Sequence, residues 1–395
     1  MSFTDAVREH GFRVHMPLPK AERAGIGICF SGGGYRASLF HAGAVRRLNE
    51  VGLLSSADTI TSVSGGSIMT AQLATFRRSL GEAWPEPGQP VPRFDEGFAE
   101  PLRRFTKTNI RTRAVLRRLL PHNWFRRNVD SDALAARYAG GPGAGPLGDI
   151  PERPRFVFCA TDIRHRTQWV FDAGRRQMGR DERTWPATDW PLARAAAASS
   201  CLPGVFTTMK VDLDGESVEL TDGGIYDNLG LEPIWRDHAV VLVSDAAPSF
   251  TPDPEMAAAV WRELRFVVTL LEQATDVRKR WLIASFLLGE LDGAYWGIGS
   301  VPSNYASEAG YPDTLIAEVI SQVRIDLDEF SDAEIAVLEN HGYFMADIAL
   351  ARHTPDLLGD APPPPRAPHP EWLDEDKVRA ALAGSQKTKL FTRGW

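Results

Sequence analysis

Two short apolar stretches each run straight into a glycine turn and then into a helical pattern. Residues 25–30, Gly-Ile-Gly-Ile-Cys-Phe, read as a buried strand that Gly32-Gly33-Gly34 breaks. From 35 to 49 the pattern is helical, with Leu39, Gly43, Ala44 and Leu48 near one face. A second strand at 59–63 meets Ser64-Gly65-Gly66, and a helical stretch follows from Ile68 to about Leu80. Strand, glycine turn and helix, repeated, is the grammar of an α/β sheet.

The rest of the chain extends that pattern. Residues 81–93 and 140–154 are rich in Pro and Gly and read as surface loops. Residues 155–161 and 168–171 look like strands, 190–198 like a helix, and 218–221 like a short strand ending in Asp222-Gly223-Gly224. Residues 239–244, Ala-Val-Val-Leu-Val-Ser, suit a buried parallel strand. Beyond Pro254 the sequence turns helical, over 256–291 and 311–321. Ser331 and Glu334 form a capping box for a helix over 332–340 that should end near Gly342, with a further helix over 342–352. Residues 363–370 form a stiff extended linker, and 371–395 are weakly helical. The expected division is an N-terminal segment 1–24, a catalytic domain 25–250, a helical part 251–355 packed on it, and a Pro-rich linker and tail 356–395.

Composition sets the outer bounds. With 43% hydrophobic and 24% charged residues among 395, the chain is an ordinary globular one and not a disordered one. A net charge of −7 argues against a partner that is a nucleic acid polymer. Cys29, Cys159 and Cys201 are far apart and read as reduced, buried thiols, which suits a cytoplasmic protein. The first 15 residues lack the apolar run of a signal peptide. No stretch approaches the ~18 apolar residues of a spanning helix, so any membrane contact is peripheral.

Three turns carry candidate chemistry. Ser64 sits between a strand and a helix, on a bend whose neighbours are small, where a helix N-terminus would stabilise an oxyanion. Ser62 stands where the G-x-S-x-G pattern has its first glycine. The plain alternative is a serine capping a helix. Gly32, Gly33 and Gly34 free the backbone to point N–H groups at an anion, and Arg36 adds charge beside them. A phosphate-binding loop fits less well, because the Lys-Ser/Thr pair is missing. Asp222 ends a strand with two glycines behind it and suits a base, although Asp-Gly also favours a simple turn. Asp227 and Asn228 read as turn residues. Tyr35 and Tyr226 flank the presumed site as wall.

Taken in order, Gly32-Gly33-Gly34-x-Arg36, Ser62-Val63-Ser64-Gly65-Gly66 and Asp222-Gly223-Gly224 resemble the bacterial patatin-like phospholipases. The stretches Cys159-Ala160-Thr161-Asp162-Ile163 and 198–206 agree with that resemblance, which covers roughly residues 25–250. It implies a three-layer α/β/α sheet with a helical C-terminal extension, and a lipid acyl hydrolase that needs no calcium or other cofactor. By the resemblance Ser64 is the nucleophile, Asp222 the base, and Gly32, Gly33 and Gly34 the oxyanion hole with Arg36 in support. The expected reaction cleaves an ester bond of a phospholipid or related lipid through an acyl-enzyme and releases fatty acid. Two alternatives stand beside it: a phospholipase effector switched on by a small nucleotide, and a silent lipid-binding scaffold.

A carboxyl with an ordinary pKa near 3.9 is a poor base for a hydroxyl, so such a dyad requires desolvation and a stabilised oxyanion. None of the nine histidines sits in a motif. His41 reads as a packing residue, and a Ser-Asp-His order would have to recruit His238 or His341. No spacing suggests a metal site. Between Pro101 and Val129 nine Arg or Lys residues occur without an acidic one. Among them Arg103, Arg104, Lys107, Arg111, Arg117 and Arg118, with Trp124, suggest a lipid-facing surface, against the alternative of a solvated helical face.

Overall fold

The central strands are buried along nearly their whole length, as in the continuous apolar run 240–243, so the sheet has two faces to cover. The computed structural model describes residues 22–112, 128–180, 183–247 and 259–385. Its strands are β1 (Ile26–Phe30), β2 (Thr59–Val63), β3 (Arg155–Asp162), β4 (Thr167–Asp172), β5 (Gln177–Arg180), β6 (Arg183–Pro186), β7 (Met209–Leu213), β8 (Glu216–Asp222), β9 (Val240–Asp245) and β10 (Asp292–Gly297). The helices that matter most are α1 (Gly34–Glu50), α2 (Gly65–Leu80), α3 (Leu192–Ser199), α4 (Ala259–Leu287) and α5 (Asp332–His353).

All ten strands join one mixed sheet. β10, β9, β1, β2 and β3 lie side by side in that order and run parallel. β4, β5 and β6 continue beyond β3 as an antiparallel set. Ile28, Phe30 and Leu242 pack into the main core with Leu39, Phe40 and Val45 of α1. Cys29, Val241 and Val243 point the other way, against Leu229, Ile234 and Leu282. Helices therefore cover both faces, which is the expected α/β/α arrangement.

Two expectations about the C-terminal part change. The stretch 256–291 does not stay helical to its end: α4 stops at Leu287 and β10 follows as an edge strand paired with β9. The part after 250 thus supplies a strand of the sheet as well as helices. Helix α5 also runs unbroken through Gly342 instead of ending there. A Cβ on Gly342 would lie 1.8 Å from the Phe40 carbonyl oxygen, and one on Gly43 would lie 1.9 Å from that of Glu339. The two glycines let the α1 and α5 backbones touch, so Gly342 serves close packing and not chain reversal. The Ser331–Glu334 capping box forms at the start of α5 as expected.

Candidate active site

The register of β3 sets the geometry. Residues 157–162 pair with β4 along one edge of β3. On the other edge β2 pairs with 155–159 and β8 pairs with 160–162, so the two strands meet end to end. Val63 sits opposite Cys159, and Asp222 sits opposite Ala160. Neighbouring residues of one strand thereby bring the end of β2, where Ser64 follows, against the end of β8. Gly223 makes the meeting possible, because a Cβ there would lie 2.3 Å from the Cys159 carbonyl oxygen.

Ser64 occupies φ 49°, ψ −117°, a conformation that non-glycine residues avoid. It stands at the N-cap of α2, yet its side chain makes no capping hydrogen bond. The capping alternative therefore does not describe this serine. Its own N–H donates to Ser199 Oγ at 3.0 Å. Ser199 Oγ donates in turn to the Cys159 carbonyl at 2.6 Å, and its carbonyl accepts the Gly223 N–H at 3.2 Å. Ser67 Oγ lies 2.8 Å from Ser199 Oγ and 3.0 Å from Ser62 Oγ. The serine found in place of the first elbow glycine thus closes a buried hydroxyl chain.

Asp222 is buried, with Oδ1 accepting the Gly224 N–H at 2.8 Å. Its Oδ2 is buried and has no hydrogen-bond partner among the described residues. Burial raises its pKa from 3.8 to about 6, partly offset by the Ser64 hydroxyl and the Gly224 N–H. The carboxyl is therefore closer in proton affinity to a useful base than a solvated aspartate.

The glycine loop lies over the same spot. A Cβ on Gly32 would come within 3.0 Å of Ser64 Cβ, and one on Gly65 would come within 2.6 Å of the Gly34 nitrogen. Gly33 (φ 143°) and Gly34 (φ 60°) have backbone conformations that suit glycine. Among the described residues their N–H groups have no backbone acceptor outside regular structure. Gly32 departs from its expected role, because its N–H donates to the Asn228 carbonyl at 3.2 Å. Arg36 departs too. Its guanidinium is buried and donates to the carbonyls of Ser321, Val323 and Ala246 at 2.9–3.2 Å. Burial lowers its pKa to about 10, opposed by Asp245. Arg36 clamps the 321–323 segment and the end of β9 around the loop, so its charge is spent on protein carbonyls and not on a bound anion.

The histidines have other work. His41 bridges Ser244 Oγ and the Ser31 carbonyl, and burial pushes its pKa down to about 4. His238 contacts the Ile234 carbonyl and Thr59 Oγ1, and His341 contacts the Ile298 carbonyl. Neither has a hydrogen bond to Ser64 or Asp222. Tyr35 is wholly buried and donates to the Thr108 carbonyl, while Tyr226 lies under the Arg278 guanidinium. Asp227 accepts the N–H groups of Leu229 and Glu232, as a turn residue does. All three cysteines are free and buried. Among the described residues no cluster of three or more His, Cys, Asp or Glu side chains could hold a metal ion.

Part of the basic segment is engaged in ion pairs. Arg103 is paired with buried Glu339, Lys107 with Asp332 and Arg111 with Asp326. These three tie the segment to the C-terminal part, with Arg111 buried, Arg103 half-buried and Lys107 exposed. Arg104 is exposed, whereas Arg117, Arg118 and Trp124 lie outside the described residues.

Ser199 is the residue that motif reading passed over. It entered only as a letter in the 198–206 stretch, and its role needs three separate strands to be brought together. Ser199→Ala should lower kcat about tenfold with KM nearly unchanged, since it leaves the elbow N–H without its acceptor. Ser199→Thr should restore part of the rate. A proportionate rise in KM instead would show that Ser199 shapes substrate binding.

A model of the family described as patatin-like phospholipase matches residues 28–235. No curated protein matches the chain. Among solved structures, VipD from Legionella pneumophila is 14% identical, with TM-score 0.35, over 85% of this chain and 68% of that one. Human GIVD cytosolic phospholipase A2 is 11% identical, with TM-score 0.43, over 97% of this chain and 65% of that one. The family match spans more than half of the chain and includes the glycine loop, the Ser64 elbow and Asp222, so the chain belongs to the patatin-like phospholipase family, a family of lipid acyl hydrolases.

Proposed function

We propose that the chain hydrolyses ester bonds of phospholipids or related lipids with Ser64 as nucleophile and Asp222 as base. The observation that carries this reading is the pairing of a strained, uncapped serine with a buried carboxyl whose pKa lies near 6. Asp222 takes the hydroxyl proton as Ser64 Oγ attacks the ester carbonyl. The oxyanion faces the N–H groups of Gly33 and Gly34 and the N-terminus of α2. Collapse expels the lysolipid or alcohol, with Asp222 returning the proton to the leaving oxygen. Water then attacks the acyl-Ser64 ester, again with Asp222 as base, and fatty acid leaves. A base that must be ionised gives the rate an acid limb.

A fluorophosphonate probe tests the pair without any assumption about the lipid. Mass analysis should find one adduct, on Ser64. The labelling rate should rise about tenfold per pH unit below pH 6 and level off above it. A rate indifferent to pH between 4 and 8 would remove Asp222 from the mechanism. Fatty-acid release from a panel of purified lipids, with Ser64→Ala as control, tests the reaction itself.

A further inference from the structure

Helix α4 has one face that grips the active-site turn and another that nothing covers among the described residues. On its inner side Arg278 lies 3.6 Å from Asp227, in the turn just past Asp222, and Lys279 lies 2.6 Å from buried Asp245 at the end of β9. Leu282 is buried in the second core cluster and Phe286 packs against it. On the other side are Leu270, Val277, Trp281, Ile283 and Leu287, with Leu288 just past the helix end, all exposed. Leu270, Leu287 and Leu288 are 70%, 83% and 73% exposed. Among the described residues, six of the nine exposed large hydrophobic side chains lie in this stretch, so the patch is not scatter.

We propose that this outer face of α4 docks the enzyme on an anionic phospholipid surface and so brings the Ser64 elbow to its lipid. The inference rests on the lipid-hydrolase reading above. Four observations select a bilayer as the occupant. At 100° per residue the apolar side chains spread over nearly half the helix circumference, wider than the narrow seam by which two helices pair. Over 270–288 three basic residues stand against two acidic ones, Glu272 and Asp276, a slight local excess of positive charge in a chain of net charge −7, and of the three basic residues Arg280 is the one on the outer face. Arg280 stands exposed within the apolar arc, suited to reach phosphate while its stem lies on acyl chains. Trp281 is 40% exposed and packed edge-on against Trp235, and indoles favour the lipid–water boundary. No helix among the described residues is long and apolar enough to cross a membrane, so α4 would lie in its plane.

The test uses the full chain, sedimented with phosphatidylcholine vesicles that contain or lack phosphatidylglycerol. Wild type should bind, and more tightly with the anionic lipid. Leu287→Gln/Leu288→Gln should weaken binding at least tenfold and cut hydrolysis of vesicle lipid in parallel. Its hydrolysis of a soluble short-chain ester should stay within twofold of wild type, which also shows that it is folded. Arg280→Glu should weaken binding to anionic vesicles and leave neutral ones unaffected. Undiminished vesicle binding by the double variant overturns the proposal. So does a wild-type dimer that the double variant converts to monomer without any vesicle binding, which would assign the face to a second copy. Vesicle binding with no ester hydrolysis by wild type would support the docking face and overturn the hydrolase reading alone.

Discussion

Asp222→Asn should cost about a thousandfold or more in esterase activity and at the same time make the folded protein more stable at pH 8. Both effects have the same origin. The carboxyl titrates near 3.8 when unfolded and near 6 when buried, so the folded state holds the proton to higher pH. Stability therefore falls as pH rises from about 4 through 6, and above that the buried carboxylate costs on the order of 3 kcal/mol. Asparagine keeps the shape and the acceptor for the Gly224 N–H but carries no charge. Chemical denaturation at pH 8 should show a gain of about 2 kcal/mol, and at pH 4 the two proteins should unfold alike. Equal stability at pH 8 would mean that Asp222 carries its charge at no cost. Retained activity would remove it as the base.

Ser64 yields the second large effect. Ser64→Ala should lower activity about ten-thousandfold and abolish fluorophosphonate labelling, because the neighbouring hydroxyls of Ser62, Ser67 and Ser199 are buried and engaged in hydrogen bonds of their own. Ser64→Gly should be equally inactive but more stable than Ser64→Ala by about 1 kcal/mol. Glycine accepts φ 49°, where a residue with a Cβ is strained. Thermal melts of the two inactive proteins make the comparison. Identical melting temperatures would mean that the elbow relaxes once the hydroxyl is gone. Substantial activity in folded Ser64→Ala would end the acyl-enzyme mechanism.

What could be read from the sequence was local. The first strand, the glycine turn and α1 follow from the apolar stretch 25–30 and the three glycines at 32–34. The elbow follows from β2 and Ser64-Gly65-Gly66, and the Ser331–Glu334 cap is complete within four residues. What stayed hidden depends on contacts far along the chain. β10 is short, holds two glycines and charge at its start, and is a strand because β9 offers it an edge. Gly342 looks like a helix stop until Phe40 of α1 is seen against it. Arg36 looks like an anion ligand until the carbonyls of Ser321 and Val323 fold back over it. Gly32 shows no sign in the sequence that Asn228 takes its N–H. In each case the residue type was visible, and its partner was not.

The placement of Val63 and Asp222 against Cys159 and Ala160 has a consequence for how such a chain tolerates change. The spacing of Ser64 and Asp222 is fixed by one step along a strand, not by the long stretch of chain that separates them. Lengthening the loops that connect β3 to β8 leaves that step alone. Inserting a single residue into β3 between 159 and 160 moves the ends of β2 and β8 apart and turns every later side chain of the strand to the opposite face. The active site is thus indifferent to a dozen residues in one place and intolerant of one in another.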